Sequence, residues 1–267
     1  MPSLTNSKPH PFGGCDTRTL QAFPPPHLLS EPLNRFFSGR NGKDLSQLCA
    51  CFPKRWGVYV LGGVLRNLLL EELCGARIVN GDVDIVISGA TSPSELHSVV
   101  REFYVRQNEF GGVKSRISRR GILFDVWRID DHATKAGAPP PRSIEQLLRH
   151  NLLDIDAVLW DLRTGYLYDY GCLDAIRRGR IDLLGEEGIS QNFAAAQVAH
   201  LLIVRFKTGF ELSDEARRFV REASDTNDVR SEISRVLERK LPTAKLELER
   251  ALNELIEEDV QLWPLTR

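Results

Sequence analysis

The sequence predicts an α+β chain, with strands and helices interleaved to about residue 188 and helices alone from Ser190 onward. Three observations carry this. Gly57–Leu61 (Gly-Val-Tyr-Val-Leu) is a continuous apolar run of the kind a strand buried on both faces shows. It stops at Gly62-Gly63, after which Leu65, Leu68, Leu69 and Leu73 repeat at helical spacing. Beyond Ser190 the pattern is helical, with basic and acidic residues mixed on the outer face.

The elements follow in order. Residues 1–27 are rich in Pro, Gly, Ser and Thr and end at a Pro24-Pro25-Pro26 run. Such a segment buries too little apolar surface to offset its ordering entropy, so it is expected to be partly disordered or draped over its neighbours. Short helices are expected at 32–37 and 44–51. The strand at 57–61 and the helix at 64–74 come next, and Asn80-Gly81 marks a turn. In a strand over 82–87, Val83, Ile85 and Ile87 share one face, while Asp82, Asp84 and Val86 share the other. Ser92-Pro93 opens a helix that turns Leu96, Val99, Val100 and Phe103 inward. A strand over 122–129 carries Asp125, a loop spans 138–141, and a helix covers 143–150. The segment 155–160, a hairpin-like turn at Thr164-Gly165 and 166–168 complete the mixed region. The expected division is a Pro-rich segment (1–27), a mixed domain (28–188) and a helical domain (189–267).

Bulk properties narrow the function classes. A chain of 267 residues with 42% hydrophobic content builds a sizeable core. Lys plus Arg number 35 against 36 Asp plus Glu, which excludes a strongly basic nucleic-acid-coating protein but not a local basic face. The five cysteines (Cys15, Cys49, Cys51, Cys74, Cys172) match no disulfide or zinc spacing and read as reduced thiols, the cytoplasmic pattern. No apolar run approaches the roughly 18 residues that span a bilayer, and residues 1–27, with no apolar stretch and several prolines, are not expected to act as a secretory signal.

The chemistry-bearing residues are carboxylates. Asp82-x-Asp84 puts two acids on one strand face, because side chains alternate with period two. Acids that close repel unless a cation or proton lies between them, and Mg²⁺ favours such oxygen ligands together with substrate phosphates. Asp125, between Phe124 and Val126, is an acid inside an apolar strand and needs a compensating partner. Each signal alone has a plainer meaning: a solvated strand end for Asp82 and Asp84, a salt-bridged core acid for Asp125, a tight turn for Gly62-Gly63. Together, in this order, they match two-metal phosphoryl chemistry.

These residues carry a resemblance. Val60-Leu61-Gly62-Gly63-Val64-Leu65-Arg66-Asn67 and Gly81-Asp82-Val83-Asp84-Ile85-Val86 resemble the head domain shared by class II CCA-adding enzymes and bacterial poly(A) polymerases. Phe110-Gly111-Gly112-Val113 and Phe124-Asp125-Val126 are similar to that head's next two strands. Asp169, Gly171 and Asp174 resemble the stretch that closes it, and Arg205-Phe206 falls where its neck helix begins. The resemblance implies a mixed β-sheet with flanking helices, followed by a helical neck. It also implies two Mg²⁺ ions, with Mn²⁺ as a substitute, on Asp82, Asp84 and Asp125. Gly62, Gly63, Arg66 and Asn67 would bind the triphosphate of an NTP.

The sequence departs from that pattern in three places. The family's Arg-Asp after Gly-Gly is Arg66-Asn67 here. Its Arg-Arg-Asp-Phe-Thr-Ile-Asn-Ala stretch falls on residues 149–157, where a gap-free alignment sets Asn151 and Leu152 against Arg and Asp and a one-residue offset aligns Arg149, His150 and Asn151 instead. Ala195, Ala196, Ala199 and Leu202 stand where an acid pair and two arginines read the incoming base. About sixty residues follow Arg205, short of the helical body that would hold a tRNA. The expectation is therefore NMP transfer from an NTP to a hydroxyl, foremost the 3′ end of a tRNA-like RNA, without templated C-C-A selection. The rivals are transfer to a protein or small-molecule hydroxyl, and a non-catalytic nucleotide- or RNA-binding module that keeps the head fold. Residues 101–120, where Arg101, Arg106, Lys114, Arg116, Arg119 and Arg120 outnumber the acids, form the candidate acceptor surface. His132 reads as a surface histidine, His200 as a satisfied buried group, and Trp127 and Trp160 as packing.

Overall fold

The computed structural model describes residues 18–78, 81–90, 92–107, 112–131, 140–184 and 193–257. In chain order these form β1 (Gln21–Phe23), α1 (Ser30–Phe37), α2 (Gly39–Cys51), β2 (Gly57–Leu61), α3 (Gly63–Cys74), β3 (Asp82–Ser88) and α4 (Pro93–Val99). β4 (Tyr104–Gln107), β5 (Val113–Ser115), β6 (Leu123–Arg128), α5 (Ile144–Arg149), β7 (Val158–Asp161) and β8 (Leu167–Asp169) follow. The remainder is α6 (Cys172–Arg178), β9 (Arg180–Ile181), α7 (Ala194–Thr208), β10 (Glu211–Leu212), α8 (Asp214–Ala223), α9 (Asn227–Lys240) and α10 (Lys245–Glu257). The first eight strands make one mixed sheet in the order β1-β8-β7-β2-β3-β6-β5-β4. The fold class is thus a mixed sheet with flanking helices, then helices. β3 and β6 pair in parallel, and the other neighbours in this sheet are antiparallel.

Alternation divides the sheet into two faces. Val58, Val60, Val83, Ile85, Ile87, Phe124 and Val126 lie in the main core with Leu48 of α2 and Leu65 and Leu69 of α3. On the opposite face, Leu61, Val86 and Leu159 pack with Leu147 and Leu148 of α5 and with Tyr170. Trp127 leans on this second cluster, and the Trp160 ring lies 5.9 Å from that of Phe37, so both tryptophans serve packing. Helix boundaries follow local chemistry. Ser92 and Ser143 cap α4 and α5 by accepting backbone N–H bonds, and Gly75 ends α3 in the left-handed conformation. Cys74 is exposed at that helix end.

The last part of the Pro-rich segment is held in place, because Gln21–Phe23 pairs with β8 at the sheet edge. Residues 1–17, and the expected division at 188/189, lie outside the described residues. The helical region attaches through a short parallel pair, β9 with β10, and through a core shared with the sheet. Ser213 caps α8 by accepting from the Ala216 N–H and donates its own hydroxyl to Asp182 Oδ1 at 2.6 Å.

Candidate functional site

Strand register builds the site. Asp84 on β3 is the partner of Asp125 on β6, and Asp82 lies two residues earlier on the same face. β5 sets Lys114 against Asp125, β4 sets Arg106 against Lys114, and β2 sets Leu61 against Asp84. One row across the sheet therefore reads Leu61, Asp84, Asp125, Lys114, Arg106. Neighbouring strands lie about 4.8 Å apart, so the row juxtaposes two acids and then two cations. Helix α5 covers this face at Val86 and Trp127, two residues further along. Asp82, at the start of β3, keeps its side chain half exposed (50%).

The acids are not equivalent. The Lys114 ammonium lies 2.7 Å from Asp125 Oδ2 and 3.9 Å from Asp82 Oδ2. Burial pushes the Asp84 carboxyl up to about 8, and the negative charges of Asp82 and Asp125 add to the rise against the pull of Lys114. Beside this row, β2 ends in Gly62, whose φ of 68° and ψ of −121° exclude an ordinary side chain. Its N–H donates to the Val158 carbonyl at 2.9 Å, turning the chain from β2 into α3 with Gly63 as the first helical residue.

Arg66 and Asn67, on the first turns of α3, are both buried. The Arg66 guanidinium forms an ion pair with Asp156 and donates through Nε to Asn67 Oδ1 at 3.1 Å. From α7, His200 Nε2 reaches the other Asp156 oxygen, Oδ2, at 2.7 Å. Burial opposes ionisation of Asp156, but the Arg66 charge and the His200 hydrogen bond outweigh it and bring the carboxyl down to about 2. Hence Arg66 reaches any phosphate only in competition with Asp156. His200 is satisfied, as expected, yet its side chain is 41% exposed rather than buried.

Lys207, seven residues after His200 on the same face of α7, adds a further cation. Burial lowers its pKa and the Arg66 charge lowers it further, while Asp82 and Asp156 act in the opposite sense. Sequence reading missed the pairing of Lys114 with Asp125, and also Asp156 and Lys207. The signal for Asp156 was its place on the family's Asn; nothing local marks the other two. Ala199 and Leu202 are buried in the core, whereas Ala195 and Ala196 are partly buried at the start of α7. Arg119 and Arg120 sit in the exposed turn between β5 and β6. His132, Asn80, Phe110 and Gly111 lie outside the described residues.

The donor set suits a hard divalent cation, being oxygen-only and short of positive charge around Asp84. Among the described residues, as arranged, no group of three or more His, Cys, Asp or Glu could hold a metal ion. A divalent ion at these acids would need further ligands from substrate oxygens, as Mg²⁺ commonly takes.

No family model matches the chain, and no curated protein matches it in sequence. Solved structures do match. An apo CCA-adding enzyme aligns with a TM-score of 0.60 at 19% identity, over 88% of this chain and 54% of that one. A CCA-adding enzyme with ATP aligns at 0.57 and 19%, over 92% and 57%. The Thermotoga maritima CCA-adding enzyme complexed with tRNA aligns at 0.51 and 19%, over 84% and 57%. The chain spans a little over half the length of these structures, and what it shares with them is the fold of CCA-adding enzymes.

Proposed function

We propose that this chain is a Mg²⁺-dependent nucleotidyltransferase that moves NMP from an NTP to a hydroxyl and releases pyrophosphate. The acceptor in this reading is the 3′ end of an RNA of the tRNA kind. The observation that carries it is the register pairing of Asp84 with Asp125, with Asp82 on the same face and the Gly62-Gly63 turn beside them. The similarity to CCA-adding enzymes, one with ATP and one with tRNA, supports both substrates.

Asp82, Asp84 and Asp125 would hold the divalent ions. When bound, these supply charge neutralisation at the triphosphate and activation of the acceptor hydroxyl. The acceptor oxygen attacks the α-phosphorus, the bond to pyrophosphate breaks, and the hydroxyl proton leaves to Asp125 or to water. Gly62 and Gly63 let the backbone approach the phosphates at the α3 N-terminus. Arg66 and Asn67 flank that approach, with Arg66 shared between phosphate and Asp156. Alanine and leucine at 195, 196, 199 and 202 offer no hydrogen bonds to a base edge, so templated C-C-A selection is not part of the reading.

One observation favours a non-catalytic nucleotide-binding module instead: Arg66 and Asp125 each already carry an ion-pair partner. Incubation with each labelled NTP, Mg²⁺ and RNA acceptors, beside the Asp82→Ala/Asp84→Ala double variant, separates the two. Label on RNA that the double variant abolishes upholds transfer. Label only in RNA-free lysate moves the acceptor to a protein or small molecule. Nucleotide binding without transfer upholds the module.

A further inference from the structure

The Lys114 ammonium is placed where the acids most need positive charge. Its strand sets it directly beside Asp125, and its nitrogen lies 2.7 Å from Asp125 Oδ2 and 3.9 Å from Asp82 Oδ2. Both members of the closer pair are well covered, at 17% exposure for Lys114 and 14% for Asp125, so the pair is weakly screened. Lys114 thus bridges β6 to β3 on the acid face, the position a divalent ion shared by those two carboxylates would take.

We propose that Lys114 is the resident cation of Asp125, standing in for one of two divalent ions, so that the nucleotide-free protein takes a single ion, at Asp82 and Asp84. The inference rests on the nucleotidyltransferase reading and changes its metal count. Charge supports it. In the metal-bound state, with Asp84 deprotonated, three carboxylates against one ammonium leave two negative charges, which one divalent ion balances. A second ion in the free protein would have to displace the ammonium from a short, covered ion pair and would leave the cluster with excess positive charge. Lys114 is accordingly a positioning residue: it holds Asp125 in line with Asp84 before any substrate arrives.

Titration of the full chain with Mn²⁺, followed by electron paramagnetic resonance without nucleotide, tests this. The expected result is one Mn²⁺ per chain for the wild type and for Lys114→Arg, which keeps the charge. Lys114→Met, or Lys114→Gln should the methionine variant fail to fold, is expected to take two. Two ions in the wild type, or one ion in the neutral variants with unchanged affinity, overturns the inference and leaves the nucleotidyltransferase reading standing. No bound ion in any variant overturns both.

Discussion

Asp156 and Asp84 are acids of one neighbourhood that titrate in opposite directions. Asp156 falls to about 2 because Arg66 and His200 outweigh its burial. Its folded value lies below the unfolded one of about 3.9, so its contribution is present above pH ~4 and is lost as pH falls through about 2. That contribution is about 2 kcal/mol, to be read from urea unfolding at pH 7, 4 and 2. Asp156→Ala is expected to cost more, about 3–5 kcal/mol at pH 7, because it leaves Arg66 buried without its partner. A loss under 1 kcal/mol would mean that Arg66 turns readily toward solvent, the freedom phosphate binding needs. Asp84 has the other sign. Its folded value of about 8 exceeds the unfolded one, so the folded state binds the extra proton and loses stability as pH rises from ~4 to 8. Asp84→Asn is therefore expected to raise Tm at pH 9 without metal while removing the proposed transferase activity. A lowered Tm would show that the carboxylate is compensated in another way.

At the scale of elements, the turn from β2 into α3 is the most constrained piece of the site. Gly62 sits where a side chain is strained whatever the space around it. Gly62→Ala is expected to cost about 1–3 kcal/mol and to lower the proposed transfer more than its effect on folding accounts for, checked by Tm and kcat/KM together. β2, α3, β3 and β6 were readable in the sequence because each has a long apolar run or a helical stripe ended by glycine. β1 and β4 were not, being three or four residues long, with β4 exposed throughout and no alternation to betray a face. The three acids were readable as a set because β3 puts two on one face and the third sits in an apolar strand. Their cations were not: the pairing of Lys114 with Asp125 is a matter of register, and Arg66 is ninety positions from Asp156. Neither leaves a local pattern, and only the fold brings them together.

Over the whole molecule, one apolar core joins sheet and helices. Leu48, Leu65, Val83 and Phe124 on the sheet side belong to the same cluster as Val198, Leu202, Phe219, Ile233, Leu237 and Leu252 of α7 to α10. Two ties cross the same junction, His200 on Asp156 and Ser213 on Asp182. A division near residue 188 would then mark a change of architecture, and not a boundary between parts that fold alone, since each half would expose apolar surface the other now covers. The expected outcome is a single cooperative unfolding transition. Three of the four tryptophans, Trp56, Trp127 and Trp160, lie in the sheet half, so tryptophan fluorescence reports mainly on it, whereas far-UV circular dichroism is weighted toward the helices. The two curves should coincide in urea, and Ser213→Ala should shift both by the same amount, about 1–2 kcal/mol for a lost cap. Curves that separate, with the dichroism transition alone responding to Ser213→Ala, would show that the helical region folds on its own and that the site is closed by docking two units.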